Sequence, residues 1–599
     1  MKSFFIFILA LLYVSIAFAQ TDIRLKGLDI ELNEILSVTK AAGFAVAVVE
    51  KDKVIYSKGF GYRDYENKIP ADANTLFAIG SCTKAFTSAI LGQLAAGDKL
   101  SFDDSPLKYV PELKFHNDEM NNNIIIKDLI SHRTGLPRHD FSWYLFPDED
   151  RNILIKRIKY QKPFTGLRKK WYYNNFMFLA QGVIAERITS KSWEDNIRER
   201  FFAPLGMIRS NVSIGELKNS ANAAFGYKLV KDSIVSKMDY YNISGMSPAG
   251  SINSSVNEMA NWVITWIYKG KFKDKQIIPA NYVDEAMGSQ MVINGALPDK
   301  DLPDVHLANY GYAWFISSYK GHYRVEHGGN IDGFAANTAF FPSDSIGIIV
   351  LANQNGSAVP GMVRNMIADR MLKVNKTHQI KLFLERKSKA KKEEIEALAK
   401  RVSNNISNTK PSHILQDYTG KYTNDGYGEF NIVNHKDSIF AHFKLKKFYL
   451  RHVHYDIFEP FEVTENKIDT SESGTLRFNF LTNDGGEISS VKMNIEPTWD
   501  PIEFKRTPNT IEVEKSMLEK YIGEYELAGT VIKVFIKGEN KLFLFVPGQP
   551  EYELMATERH KFAFKTLEGY KVEFTESKEK AIIEVIFFQP NGTFTAKRK

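Results

Sequence analysis

The sequence predicts an α+β fold of the α/β-sandwich kind: one antiparallel sheet flanked by helices, with a helical inserted region, followed by two tandem all-β, barrel-like modules. Three observations carry this expectation. Strand-like segments lie near both ends of the first 375 residues, with mostly helix-patterned sequence between them. Residues 379–412 then turn charged and poor in apolar side chains, which marks a helical linker. Beyond it the chain repeats itself, with "LQDYTGKY" at 415–422 matched by "LEKYIGEY" at 518–525, and "FKR" at 504–506 echoed by "AKR" at 596–598.

At 599 residues, 44% of them hydrophobic, the chain can bury several cores. It opens on "MKSFFIFILALLYVSIAFAQ", whose lysine, apolar stretch and Ala17-Phe18-Ala19 have the order of a signal peptide cleaved after Ala19. An uncleaved anchor is the alternative, although the apolar stretch is short for a membrane span. Cys82 is the only cysteine, so no disulfide can form within the chain, and the expected location is periplasmic or secreted. The net charge of +7 is modest, and the densest basic run, "ERKSKAKKEEIEALAKR", is interleaved with glutamates. That reads as a solvated helix and argues against a nucleic-acid partner.

In order, "GFAVAVVEKDKVIYSKGF" (43–60) predicts two strands around the turn at Lys51-Asp52-Lys53. Residues 84–250 are mostly helical in pattern. "YGYAWFISS", "HYRVEHGG", "FAANTAFF" and "IGIIVLANQ" predict successive strands, and "GMVRNMIADRMLK" a helix after them. Each later repeat is a run of short alternating strands, as a small barrel or sandwich requires. The expected boundaries are 1–19 for the signal peptide, 22–378 for the first domain, 379–412 for the linker, and 413–507 and 508–599 for the β modules.

Chemistry concentrates at "FAIGSCTKAFTSAIL" (77–91), where Ser81 and Lys84 stand three residues apart at the mouth of an apolar run. Ser-x-x-Lys alone is weak, since seven others begin at Ser37, Ser105, Ser317, Ser388, Ser407, Ser489 and Ser577. Here Gly80 permits a sharp turn, and Phe86, Ile90, Leu91 and Leu94 form a helical apolar face, so Ser81 falls at a helix N-terminus, where backbone N–H groups and the dipole favour an oxyanion. Three residues is nearly one turn, which returns the Lys84 amine to the hydroxyl's face. Such an amine acts as a base only when burial or cationic neighbours bring it down from about 10.4. The rival reading makes Ser81 a helix cap and Lys84 a surface charge.

Two further segments bear on that choice: Tyr173-Asn174-Asn175 in "KWYYNNFMFLAQGVIAERI", and His327-Gly328-Gly329 in "YRVEHGGNIDGF". With Ser-x-x-Lys, Tyr-x-Asn and a basic residue before glycines in this order, residues 22–375 resemble the serine β-lactamase and penicillin-binding-protein superfamily. The resemblance is to its class C β-lactamase-like branch of esterases and D-amino-acid peptidases. "IIIKDLISHRTGLPRHD", "PLGM" and "SPAGSINSSVNEMANW" are similar to the family's connecting motifs. The resemblance implies Ser81 as the acyl-carrying nucleophile, and Lys84 with Tyr173 as the proton-handling pair. It implies Asn175 as holding Lys84 and the substrate amide, the N–H groups of Ser81 and Asn330 as an oxyanion hole, and Gly328 and Gly329 as room for substrate along the strand. Tyr172-Tyr173-Asn174 also satisfies Tyr-x-Asn, so Tyr172 stays an alternative.

Where many relatives carry lysine in the third motif, this chain has His327, mostly neutral at about pH 7 and a weaker partner for a substrate carboxylate. Esters, amides or peptides with a free amino end are therefore the expected small-molecule substrates. β-Lactams or D-alanyl-D-alanine cell-wall peptides are the alternative, and a non-catalytic penicillin-binding-like receptor is the reading from outside enzymology. No cofactor is implied. His452 and His454 share a strand face but lack a third metal ligand, and there is no G-x-S-x-G elbow, P-loop or dinucleotide fingerprint. Cys82 reads as a small buried filler. The two β modules resemble the lipocalin-like C-terminal domains of some peptidases of this superfamily, which implies restricted access for long substrates or a homo-oligomer.

Overall fold

The computed structural model describes residues 22–599 apart from 239–241, 404, 465–466, 469, 471–475, 497–499, 508–509, 539 and 568. The expected signal segment and its cleavage point lie outside the described residues. The described residues form two compact units, one from 22–101, 188–242 and 247–387, the other from 102–187, 243–246 and 388–599.

The first unit is built on a nine-stranded antiparallel sheet. Its strands are β1 (Gly43–Glu50), β2 (Lys53–Asp64), β3 (Ile69–Pro70), β4 (Met291–Asn294), β5 (Val305–Tyr310), β6 (Phe315–Tyr319), β7 (His322–Ile331), β8 (Phe334–Phe341) and β9 (Ile346–Ala352). They lie in the order β4-β5-β6-β7-β8-β9-β1-β2-β3, so the N-terminal hairpin is stitched to the C-terminal strands by pairs such as Val46 with Val350. β1, β8 and β9 are buried almost throughout, which explains their unbroken apolar runs. Period-2 alternation then sorts the side chains. Phe44, Val46 and Val48 pack with α1 (Leu28–Thr39) and α4 (Val359–Met371) through Leu28, Leu32, Val363 and Ile367. On the other face lie α2 (Thr83–Ala96) and α3 (Val256–Ile267), locked by Phe86 stacked on Trp262 at 3.7 Å. Each such buried side chain contributes about 1.5–3 kcal/mol.

One strand starts later than the pattern predicts. In "YGYAWFISS" Tyr310 ends β5 and β6 begins only at Phe315, because Gly311 N–H donates to the Trp314 carbonyl at 2.8 Å and closes a turn, with Ala313 left-handed at φ +61°. Burial of Tyr312 and Trp314 against Tyr282 and Trp266 holds that turn.

The second unit contains the inserted region and the two β modules. Short helices at Asp118–Asn123, Ile126–Ile130, Phe141–Tyr144 and Arg151–Arg157 precede a long one, Phe176–Thr189. Fully buried Asp128 ties the insert together by pairing with Arg133 at 2.6 Å and Arg168 at 2.8 Å. Both β modules are closed eight-stranded barrels. The first runs from Gly420–Asn424 to Ile502–Thr507, closes through Lys447–His454 on Ile457–Thr464, and carries Lys467–Ile468 as an added edge. The second runs from Gly523–Leu527 to Gly592–Arg598.

The sequence repeat has a structural meaning. Tyr422 donates to the Tyr418 carbonyl and Tyr525 to the Tyr521 carbonyl, both at 2.8 Å. Arg506 and Arg598 then donate to the carbonyls of Thr419 and Ile522, which tie the last strand of each barrel to its first. Before the barrels, the charged helix Gln379–Ser403 presents exposed Lys389–Glu393 and Lys392–Glu396 pairs, as a solvated helix should.

Candidate active site

Ser81 sits in a single 3-10 turn, Gly80–Cys82, that runs into α2. Gly80 adopts φ +51°, a left-handed conformation that lets the chain leave the short strand Phe77–Ala78 and enter the helix within two residues. Lys84, one turn on, is fully buried; its Nζ lies 3.0 Å from Ser81 Oγ and donates to the Ala249 carbonyl at 2.6 Å. Ser81 itself is half-buried.

The carbonyl that receives Lys84 belongs to the turn Ser247–Gly250, which is fastened along α2: Thr87 Oγ1 donates to the Pro248 carbonyl at 2.7 Å, and Ile252 N–H donates to Thr83 Oγ1 at 3.1 Å. Trp193 Nε1 in turn donates to Thr87 Oγ1 at 2.9 Å. A buried amine held by a carbonyl beside a hydroxyl keeps a fixed position from which it can exchange a proton with that hydroxyl.

β7 lies directly against this turn. A Cβ on Gly329 would stand 1.9 Å from the Ile79 carbonyl oxygen and 3.0 Å from the Ser81 nitrogen, and one on Gly80 would stand 3.0 Å from the Asn330 nitrogen. The backbones carrying the Ser81 and Asn330 amides therefore touch with no side chain between them. Gly328 is different, since a Cβ there would meet nothing closer than the Ala336 oxygen at 3.6 Å. The Asn330 side chain is exposed, and its Oδ1 accepts from Gly356 N–H at 2.7 Å.

His327 is buried, with Nε2 3.0 Å from the Tyr310 hydroxyl and Nδ1 2.6 Å from the Gly328 carbonyl oxygen. Burial, helped by the positive charge of Lys84, pulls its pKa down to about 3, so the ring is neutral at any working pH. Cys82 is fully buried with Sγ 3.1 Å from the His327 carbonyl oxygen, and burial pushes its thiol up to about 12.

Tyr173 and Asn175 belong to the second unit and are described within it. Tyr173 is buried at 9% exposure, its ring 4.4 Å from that of His132 and capped by the Arg138 guanidinium at 4.7 Å. Asn175 donates from Nδ2 to Asp140 Oδ1 at 2.7 Å. A carboxylate only accepts, so this bond orients the amide and leaves Oδ1 as its acceptor end. Tyr172 packs edge-on against Phe164 at 5.4 Å, and Asn174 spends its Nδ2 on the Pro137 carbonyl and Gln161.

Asp140, Arg138 and His132 were not singled out as site residues, although all three lie in "IIIKDLISHRTGLPRHD", where two left-handed histidines, His132 at φ +54° and His139 at φ +48°, mark an over-determined backbone. Among the described residues no group of three or more His, Cys, Asp or Glu side chains is arranged to hold a metal, and no helix is long and apolar enough to cross a membrane. His452 Nε2 is 2.8 Å from the Tyr455 carbonyl oxygen.

A serine hydroxyl beside a buried lysine at a helix start, under a glycine-bearing sheet strand, is an arrangement of the β-lactamase fold, a fold of serine hydrolases. The chain belongs to the β-lactamase family, whose profile matches residues 33–370. A domain of unknown function, DUF3471, matches 404–506 and so spans the first barrel. Among curated proteins the chain is 28% identical over 409 residues to an unguisins hydrolase of Aspergillus campestris, covering 65% of this chain and 74% of that one. It is 26% identical over 327 residues to protein flp of Staphylococcus aureus, covering 54% of this chain and 62% of that one. Among solved structures, the octameric penicillin-binding protein homologue from Pyrococcus abyssi shares the fold at TM-score 0.53 and 20% identity, covering 80% of this chain and 99% of that one.

Proposed function

We propose that this protein is an exported serine hydrolase that cleaves ester or amide bonds through an acyl-enzyme on Ser81. The observation that carries the reading is the 3.0 Å approach of the fully buried Lys84 amine to Ser81 Oγ. Lys84 takes the serine proton as Oγ attacks the carbonyl; the bond to the leaving group breaks, that group takes up the proton, and water later releases the acyl chain by the same relay. Tyr173 shares the proton handling. By the family's pattern Asn175 serves the lysine and the substrate amide, and the Ser81 and Asn330 N–H groups receive the oxyanion, each worth about 3–4 kcal/mol. Gly328 leaves the strand open for substrate to lie against it, while Gly329 lets the strand close on the serine turn.

His327, neutral and buried, supplies no permanent cation for a substrate carboxylate. That favours esters, amides and peptides over β-lactams and D-alanyl-D-alanine ends, and the likeness to a relative named for hydrolysing unguisins is in keeping with it. Export rests on the opening segment of the sequence. Self-association through the barrels is part of the reading, in keeping with the octameric homologue of similar fold.

Intact-protein mass spectrometry after a fluorophosphonate and, separately, a penicillin tests this. The fluorophosphonate should label the Ser81 peptide while penicillin leaves no durable adduct. A lasting penicillin adduct would move the substrate to the cell wall, and no adduct from either reagent would point to a receptor. Ser81→Ala should lower hydrolysis of a model ester at least about a thousandfold with the melting profile kept; unchanged turnover refutes the assignment.

A further inference from the structure

The loop that holds Tyr173 and Asn175 is itself held by the first barrel. Asp140 Oδ1 accepts from Asn175 Nδ2 at 2.7 Å and from Trp143 Nε1 at 3.0 Å, while Oδ2 accepts from Arg138 Nε, whose guanidinium caps the Tyr173 ring. One carboxylate thus sets the amide of Asn175 directly and the ring of Tyr173 through Arg138.

The same few residues reach the other way into the barrel. Leu145 and Phe146 belong to its hydrophobic core, where the Phe146 ring stacks on Phe504 at 5.5 Å and meets Phe443 at 5.4 Å. The barrel is shaped for it: a Cβ on Gly428 would stand 3.0 Å from the Phe146 ring. Polar contacts fix the depth of insertion. Ser142 Oγ donates to the Gly426 carbonyl at 2.6 Å, His139 Nδ1 lies 2.9 Å from the Tyr427 hydroxyl, and buried Arg157 donates to the Phe146 carbonyl at 2.7 Å. His139, left-handed at φ +48°, keeps that costly conformation because the barrel engages its ring.

We propose that the first barrel is a working part of the hydrolase, seating Phe146 so that Asp140 acts as the positioning residue for Tyr173 and Asn175. This rests on the reading above only in taking those two residues to serve the reaction. Misplacing a reacting group by about 1 Å costs up to about a hundredfold in rate, so a loosened loop should appear in kcat more than in KM.

The test uses the full chain and four variants, Phe146→Ala, Phe146→Leu, Asp140→Ala and Asp140→Asn, each checked by melting profile. Its two readouts are hydrogen exchange in peptides spanning 171–177 and steady-state kinetics on a nitrophenyl ester. Phe146→Ala and Asp140→Ala should quicken that exchange and lower kcat about tenfold to a hundredfold with KM within about threefold. Leucine, which refills the socket, should restore most of the loss, and asparagine, whose Oδ1 still accepts from Asn175 but whose amide nitrogen cannot accept from Arg138, should restore part of it.

If Phe146→Ala does not fold, Tyr427→Phe, which removes only the hydroxyl facing His139, carries the same comparison. Folded variants with wild-type exchange at 171–177, or with wild-type kcat, overturn the proposal. A wild-type protein whose Ser81 takes no fluorophosphonate sinks the hydrolase reading instead, and the exchange comparison still decides whether the barrel holds the segment.

Discussion

Replacing Gly329 with alanine, beside a matched change at Gly328, tests whether strand and serine turn must touch. The added Cβ at residue 329 would stand 1.9 Å from the Ile79 carbonyl oxygen, 2.9 Å from the Ile79 carbonyl carbon and 3.0 Å from the Ser81 nitrogen. All three are backbone atoms, so no side chain can swing aside. A carbon needs about 3.5 Å from such neighbours, so strand and turn must separate by roughly 1.5 Å. Overpacking of this kind costs about 1–3 kcal/mol of stability, and moving the Ser81 amide by about 1 Å costs about a hundredfold in rate. At Gly328 the nearest atom is 3.6 Å away, an ordinary contact, so alanine there should leave stability almost unchanged and cost less activity than at Gly329. Initial rates on a nitrophenyl ester and the rate of fluorophosphonate labelling at Ser81, with a melting curve for each variant, read the difference. Equal activity in the two variants, or greater damage from Gly328→Ala, would refute the reasoning.

Two further outcomes follow from buried titratable groups. Burial, with the charge of Asp140, pushes Glu496 up to about 7 from an ordinary 4.5, so between those values the folded protein keeps a proton that the unfolded chain has released, and stability falls as pH rises through that window. Glu496→Gln should raise the urea midpoint at pH 8 by up to about 3 kcal/mol equivalent and leave it unchanged near pH 4.5; no gain at pH 8 counts against a strained carboxylate. Cys82, pushed up to about 12, should resist iodoacetamide at pH 8 in the native protein, and Cys82→Ala should keep fluorophosphonate labelling of Ser81; rapid alkylation with loss of labelling would contradict this.

Local periodicity carried the parts of the fold that depend on neighbours in sequence. The Ser81–Lys84 approach is an i, i+3 relation on a helical turn, and the two tyrosine repeats are i, i+4 relations whose hydroxyl-to-carbonyl bonds recur in both barrels. What sequence left open depends on distant contacts. Tyr172 and Tyr173 satisfy the same motif, and only packing separates them, Phe164 against the first and His132 with Arg138 against the second. The motif position of His327 says nothing of how far its ring is covered; Tyr310 and burial decide that. Asp140 carries no signal in the sequence that would single it out, since its partner Asn175 lies 35 residues on and no pattern joins them.

Leu145 and Phe146 make the charged stretch before residue 415 a poor place to divide this protein. Shorn of the cup that receives them, these two side chains would lie bare in water as a greasy tongue, and the vacated cup would gape around Phe430, Phe443 and Phe504. Neither fragment would inherit a finished surface. Inserted helices and first barrel are thus bound to be inherited, expressed and handled as one piece, however separable their sequences look.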